Sequence, residues 1–225
     1  MDRFRDCLAS RVSTDPTAKR PLEPIVWRIG ENVRLVAHCV KVIKGVSQTR
    51  SSPLSAGTFC CRLGAFLSAP PAACMAAGAR SVVGIDASAA MIEAAREVYG
   101  ADIRFFVADA RAAGLPGNAY DVVFSRAVIH HMRLDEVTEL FREAYRLLRP
   151  GGAVVIQDRT VEDVLLPGAP DHIRGYFFEM YPRLCDVEVC RRHGVSEVSA
   201  ALEAVGFERL STERLWEIRR EYGDF

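Results

Sequence analysis

The chain of 225 residues carries no net charge and no long apolar run, and both absences limit what it can be. Lysine and arginine number 29, as do aspartate and glutamate, so no overall field attracts nucleic acid or an anionic membrane. No run approaches the roughly 18 apolar residues that a membrane helix needs, and no apolar signal segment is visible. We therefore expect no membrane association, and we do not expect nucleic acid as a partner.

Cysteine is present, but in no recognised pattern. The seven cysteines are odd in number and include no Cys-x-x-Cys pair. Reduced thiols fit such usage best, so we expect a cytoplasmic protein. Cys185, Cys190 and His193 are conceivable metal ligands, but their spacing matches no standard zinc pattern and a fourth ligand is missing. We predict no metal site.

The charge is unevenly distributed along the chain. Residues 1–55 hold 10 Lys and Arg against 5 Asp and Glu. A basic arm that contacts phosphate would explain this excess, but we favour a solvated leader. The predicted organisation is an irregular to helical leader over residues 1–55 and a single domain over residues 56–225. Within that domain, residues 159–195 are a possible cap insertion.

Short apolar runs alternate with helical segments in the middle of the chain. The runs cover residues 81–85, 103–107, 120–124 and 153–156. This alternation is typical of βαβ units around a parallel sheet. Asp86 and Asp109 follow the first two runs. Because ligands bind beyond the carboxyl ends of such strands, these carboxylates are candidates for hydrogen bonds with a nucleotide.

The segments between the runs carry helix signals. Ser88 is a suitable N-cap for a helix through Val98, because its hydroxyl accepts an otherwise unpaired amide hydrogen. A second helix is indicated by apolar residues at helical spacing from Leu134 to Leu148. The sequence Arg149-Pro150-Gly151-Gly152 is expected to stop this helix and turn the chain into the next strand.

These segments, taken in order, resemble class I S-adenosylmethionine-dependent methyltransferases over roughly residues 78–157. The resemblance lies in Gly84-Ile85-Asp86-Ala87-Ser88, Ala108-Asp109-Ala110, Tyr120-Asp121-Val122-Val123 and Leu148-Arg149-Pro150-Gly151-Gly152. It implies a Rossmann-like three-layer α/β/α sandwich with a mostly parallel sheet of about seven strands and a C-terminal antiparallel strand. It also implies S-adenosylmethionine as the cofactor and a small-molecule methyl acceptor as the partner.

The resemblance assigns roles to residues at the strand ends. Asp86 would accept hydrogen bonds from the ribose hydroxyls, and Ala87 would flank the ribose. Asp109 would accept from the adenine amino group, with Ala110 offering a backbone amide. Ser125 and Arg126, at the end of a later strand, would lie beside the methyl group of the cofactor.

The glycine-rich turn of this family is altered in this chain. In the best register Cys60, Arg62 and Gly64 stand where three glycines belong, and a second register also keeps only one glycine. Arg62 would occupy cofactor space and place a cation near the sulfonium, whose charge it would repel. Two hypotheses stay open: an enzyme with an altered start, and a non-catalytic binding or partner protein with the same fold. A nicotinamide-dependent oxidoreductase explains Asp86 but not Asp109.

His130 and His131 are the candidate catalytic residues. A histidine near neutral pH can accept the proton that an acceptor must lose during methyl transfer. The alternative is that the pair only packs after its strand. Two further features stay open: the oligomeric state, and whether the aromatic residues between Ile173 and Leu184 cover the site or pack as a helix in the core.

Overall fold

The computed structural model describes residues 58–60, 79, 81–170, 172–208 and 212. The predicted leader over residues 1–55, and with it the altered turn at Arg62 and Gly64, lies outside the described residues. Cys60 is described as strand backbone only. The described chain alternates strands with helices, as the pattern of short apolar runs predicts.

Five strands and six helices are described. The strands are β1 (Thr58–Cys60), β2 (Ser81–Asp86), β3 (Arg104–Val107), β4 (Tyr120–Arg126) and β5 (Leu148–Gln157). The helices are α1 (Ala89–Tyr99), α2 (Leu134–Leu147), α3 (Val161–Val164), α4 (Ile173–Met180), α5 (Pro182–Arg191) and α6 (Val195–Val205). Short 3₁₀ turns cover Gly100–Asp102 and Ile129–His131.

All the described strands pair in parallel, in the order β3-β2-β1-β4-β5. The chain reverses its direction of strand addition between β1 and β4, which is where ligands bind in sheets of this kind. A parallel sheet is confirmed. A sheet of seven strands with an antiparallel C-terminal strand stays a prediction, because that segment lies largely beyond the described residues.

Helices cover both faces of the sheet, because alternate residues of its strands point to opposite sides. On one face Val83 and Val123 belong to a core cluster with Phe141 of α2 and Leu202 of α6. A second cluster collects the alternate strand residues with α1 and β3, namely Val82, Val122, Phe124, Ile92 and Phe105. These two cores confirm the three-layer arrangement.

Local signals set the ends of the first two long helices. The Ser88 hydroxyl accepts the amide hydrogen of Met91 at 3.4 Å and caps α1, which Gly100 ends with a positive φ of 63°. At the start of α2, the Glu136 carboxylate accepts the N–H of Arg133 at 2.9 Å. Both termini therefore satisfy amides that have no partner inside the helix.

The sequence Arg149-Pro150-Gly151-Gly152 lies inside β5 rather than in a turn before it, which corrects the predicted boundary. The ladder to β4 shifts register here, from Tyr120 opposite Leu148 to Val122 opposite Ala153. Gly151 has a φ of 75°, and a Cβ at Gly152 would lie 2.9 Å from the Arg149 carbonyl oxygen. Both positions therefore require glycine, because the backbone of β5 is irregular where its pairing with β4 shifts register.

The segment between Ile173 and Leu184 forms two helices rather than one. Proline at position 182 begins α5, since a proline fits the first helical turn but cannot continue α4. Phe178 is buried against Val164 and Val189, whereas Tyr176, Phe177 and Tyr181 are exposed. Core packing therefore accounts for Phe178 alone among these aromatic residues.

We predict that Gly84→Ala destabilises the sheet. A Cβ at Gly84 would lie 2.5 Å from the ring of buried Phe105, so the substitution should lower the free energy of unfolding by about 1–3 kcal/mol. Urea unfolding measures this difference. The same substitution should cost less in a Phe105→Ala background, where the ring is absent. An equal cost in both backgrounds would contradict the close contact.

Candidate functional site

Asp86 lies at the carboxyl end of β2, next to the start of α1. Its Oδ1 accepts the N–H of Ser88 at 2.8 Å, which holds the carboxylate at the turn. The Asp86 carbonyl oxygen accepts the N–H of Ala108 at 3.0 Å and so ties the ends of β2 and β3 together. Ala87 is exposed beside it. The structure therefore brings two predicted sites, after β2 and after β3, to one sheet edge.

Asp109 is held by an arginine that sequence reasoning did not single out. Its carboxylate accepts hydrogen bonds from the backbone N–H, Nε and Nη2 of Arg111, the last at 2.7 Å. The side-chain hydrogen bond from Arg111 lowers the pKa of Asp109, followed by the backbone bond. The other end of Arg111 donates to Glu136 of α2 at 2.6 Å. Asp109 is thus an ionised acceptor fixed against the start of α2, and Ala110 beside it is buried.

Ser125 and Arg126 end β4 in the interior, with 1% and 4% of their surfaces exposed. Within the described chain, the Ser125 hydroxyl is buried and has no hydrogen-bond partner. Buried polar groups ordinarily have such a partner, so this hydroxyl is an exception at the end of β4. Ala127, the next residue, has a φ of 53° and donates its N–H to the Gln157 carbonyl oxygen at 2.7 Å.

His130 is oriented by Asp158, which follows β5. Its Nδ1 lies 2.8 Å from both carboxylate oxygens, and its backbone N–H donates to Oδ2 at 3.3 Å. Asp158 also accepts the backbone N–H of Arg159 at 2.8 Å. The β4–β5 pairing places these two residues together, because each follows the carboxyl end of its strand.

A fully buried guanidinium supports this carboxylate. Arg192, with no exposed surface, donates to Asp158 at 3.1 Å and to Glu188 of α5 at 2.6 Å. Burial raises the pKa of Asp158, but the hydrogen bond and charge of His130 and the charge of Arg192 outweigh it, so the pKa lies below its ordinary value. The last turn of α5 is therefore joined electrostatically to the end of β5.

The two candidate histidines occupy different surroundings. Their ring centroids are 4.0 Å apart, yet His131 is exposed and, among the residues that the structure describes, has no carboxylate contact like that of His130. Partial burial lowers the pKa of His131, followed by the charge of His130. His193 serves the same turn: its Nε2 donates to the carbonyl oxygens of Ile129 and Met132 at 3.1 and 2.9 Å.

Sequence reasoning missed Arg111, Asp158 and Arg192. Asp158 was detectable in principle, because it follows an apolar strand as Asp86 and Asp109 do. Arg111 and Arg192 carry no comparable signal, since their partners come from other elements. The structure brings Asp86, Asp109, Ser125 and His130 to the carboxyl edge of the sheet. Among the described residues, no helix has the length and apolar character needed to cross a membrane.

Comparisons with known proteins place this fold. Residues 62–156 match the family model described as a methyltransferase domain. Phosphoethanolamine N-methyltransferase 3 of Arabidopsis thaliana is 42% identical over 80 residues, which are 34% of this chain and 16% of the relative. Phosphoethanolamine N-methyltransferase 1 of Zea mays is 31% identical over 152 residues, 64% of this chain and 29% of the relative. The chain thus matches less than a third of the length of either relative.

A solved structure shares the fold. A proposed methyltransferase from Bacillus halodurans superposes with a TM-score of 0.51 at 18% identity, covering 76% of this chain and 69% of that one. At such identity the likeness concerns the fold alone. It extends past the residues matched by the family model and agrees with the parallel sheet and its helical layers.

We predict that Asp158 contributes stability that acid removes. Because its folded pKa lies below the ordinary value of 3.8, the contribution is full above that value and is lost as the pH falls through the folded pKa. Asp158→Asn should lower the free energy of unfolding by about 2–3 kcal/mol at pH 6, and the deficit should shrink as the pH falls below 3.8. Urea unfolding across this range measures the deficit. A deficit that does not change with pH would mean that Asp158 is not ionised in the folded protein.

Proposed function

We propose that the chain, whose residues 62–156 match the methyltransferase-domain family model, is a class I S-adenosylmethionine-dependent methyltransferase that transfers a methyl group to a small-molecule acceptor. The observation that carries the proposal is the set of acceptors at one sheet edge. Carboxylates follow β2 and β3, and a buried hydroxyl without a partner in the described chain ends β4.

The two carboxylates suit the adenosine part of the cofactor. An ionised carboxylate carries only acceptors, and the Ser88 amide holds that of Asp86 at the turn after β2. Ribose hydroxyls are donors that such a group accepts. At Asp109 the donors of Arg111 hold the carboxylate ionised and in a fixed orientation, and an adenine amino group is a donor that such a carboxylate accepts. Asp86 and Asp109 are therefore the proposed adenosine acceptors.

The end of β4 suits the reacting end of the cofactor. The Ser125 hydroxyl is almost fully buried and unpaired within the described chain, so a bound polar group would relieve the cost of leaving it unsatisfied. Arg126 is the neighbouring buried cation. Cys60, Arg62 and Gly64 stand where the family has three glycines. Their contact with the methionine part of the cofactor remains a prediction from the sequence.

When bound, S-adenosylmethionine supplies an electrophilic methyl group whose carbon–sulfur bond breaks with the electron pair remaining on sulfur. The protein has to orient the acceptor and take up any proton that its nucleophilic atom releases. His130 suits the second role better than His131, because Asp158 fixes its ring. We propose His130 as the general base, with His131 beside it as part of the same surface.

We infer that the acceptor is a small amine. The support is that both curated relatives described above are named phosphoethanolamine N-methyltransferases, although this chain spans only part of each. An amine nucleophile releases a proton on methylation, which gives His130 a chemical task. A binding protein of the same fold is the second candidate, and its support is the arginine at position 62.

We predict that Asp86→Ala weakens binding of S-adenosylhomocysteine. Removing the carboxylate leaves the ribose hydroxyls without their acceptor and should cost about 1–3 kcal/mol, roughly 5- to 150-fold in dissociation constant. Isothermal titration calorimetry measures it. Glu203→Ala, which removes an exposed carboxylate on α6, is the matched control and should leave the constant unchanged. An unchanged constant in folded Asp86→Ala would remove Asp86 from the site.

We also predict methylation of small amines. Mass spectrometry should detect a monomethylated product when the protein, S-adenosylmethionine and phosphoethanolamine are incubated together. Ethanolamine is the matched acceptor, since it keeps the amine and lacks the phosphate. Methylation of both would indicate recognition of the amine alone. Cofactor binding with no product from either amine would contradict an amine acceptor and favour the binding protein.

A further inference from the structure

Asp158 has no role in the cofactor-binding pattern, yet it makes the closest polar contacts with a candidate catalytic residue. We propose that Asp158 is a positioning residue for methyl transfer: it holds the His130 ring with Nδ1 protonated, so that Nε2 is the nitrogen that accepts the acceptor's proton. The inference rests on the proposed function for the reaction, while the state of the ring is measurable without it.

The geometry of the contact orients the ring. Both oxygens of Asp158 lie 2.8 Å from His130 Nδ1, and one of them also accepts the His130 backbone N–H. Side chain and backbone of one residue are thus fastened to one carboxylate. Asp158 has 7% of its surface exposed, so little water competes for these contacts. With both its backbone N–H and its ring Nδ1 held by one carboxylate, the side chain has little freedom to turn.

The proton follows from the chemistry of the pair. An ionised carboxylate has only acceptors, so a neutral His130 can bond to it only by carrying its proton on Nδ1. The remaining lone pair then lies on Nε2, on the far side of the ring. A base held in one tautomer by a buried carboxylate is the logic by which a third group orients a catalytic histidine.

The surrounding charges keep Asp158 ionised. Arg192 donates to its Oδ1 at 3.1 Å, and the Arg159 backbone N–H donates to the same oxygen at 2.8 Å. The direction of the Asp158 pKa, below its ordinary value, agrees with these donors. Ionisation matters because a protonated carboxyl would donate its hydrogen to Nδ1. The ring's own proton would then lie on Nε2, which would have no lone pair with which to accept a proton.

Other charged groups near the pair belong to α5 and to the histidine turn. Glu188 accepts two hydrogen bonds from Arg192, at 2.9 and 2.6 Å, and also pairs with Arg191. His131, whose ring neighbours that of His130, is the nearest titratable group on the same turn. Through Arg192 the carboxylate is braced by Glu188, so the end of α5 supports the ring indirectly.

The decisive experiment determines the His130 tautomer by ¹⁵N NMR of the imidazole nitrogens, at a pH high enough for the ring to be neutral. The wild-type ring should be protonated at Nδ1. In Asp158→Asn the amide can donate as well as accept, so the Nδ1–H form should no longer dominate. The same variant should lower kcat for the amine that the wild type methylates by roughly tenfold or more, with KM within about threefold.

Two further variants separate positioning from structural support. Arg192→Lys keeps a cation beside Asp158, so it should retain the Nδ1–H form. It should lower the melting temperature, because lysine cannot reproduce the hydrogen bonds of Arg192 to both Asp158 and Glu188. Asp163→Asn removes a nearby carboxylate that caps α3 through Thr160, and it should leave both the tautomer and kcat unchanged. A purely structural role for Asp158 would lower stability without altering the ring.

The proposal is overturned by an Nε2–H ring in the wild type, by an unchanged ring in folded Asp158→Asn, or by an unchanged kcat in that variant. Its failure is distinct from failure of the proposed function. If the wild type methylates amines while Asp158→Asn keeps its kcat, the reaction stands and the positioning role falls. If Asp158→Asn is too unstable to study, the wild-type ring decides the proposal by itself, because a neutral ring protonated at Nε2 overturns it.

Discussion

Parallel pairing of β4 with β1 and β5 is the constraint on which the rest of the structure depends. All seven residues of β4 are buried, so the strand has to be covered on both faces and hydrogen-bonded on both edges. Because parallel strands end at the same edge, this pairing brings Ser125, His130 and Asp158 together although Asp158 is far away in sequence. The reversal of strand order between β1 and β4 then opens the edge where ligands bind.

Charged groups at this edge are fixed by partners from other elements rather than by their own turns alone. Arg111 joins Asp109 to the start of α2, and Arg192 joins Asp158 to the end of α5. Such buried or half-buried pairs hold geometry more than they add net stability, because desolvation offsets much of their attraction. Their consequence here is orientation: the carboxylates stay ionised and face defined donors.

The strand and helix pattern was readable from the sequence because local signals agree with one another. Ser88 caps α1 as expected, and the apolar runs became strands of a parallel sheet. The β5 boundary was wrong because Pro150 and the two glycines signal a turn, while the ladder accommodates them as an irregular crossing. The sequence leaves open whether the segment from Ile173 to Leu184 covers the site or packs as a core helix, and the structure divides it into two helices at Pro182.

The candidate site was readable only where a residue follows a strand. Asp86 and Asp109 carry that signal and lie at the edge as predicted, whereas their roles toward the cofactor stay proposals. Arg111 and Arg192 act across the fold, and a single sequence contains no local trace of such pairs. The altered turn at positions 60, 62 and 64 stays a prediction of the sequence.

The central claim is that the carboxyl edge of the parallel sheet binds the cofactor. Amide NMR of the isotopically labelled chain, titrated with S-adenosylhomocysteine, tests it most directly. We predict saturable shifts concentrated at residues 86–88, 109–111 and 125–131, with residues at the opposite edge of the sheet unaffected. Shifts concentrated elsewhere, or none in a folded protein at millimolar ligand, would contradict it.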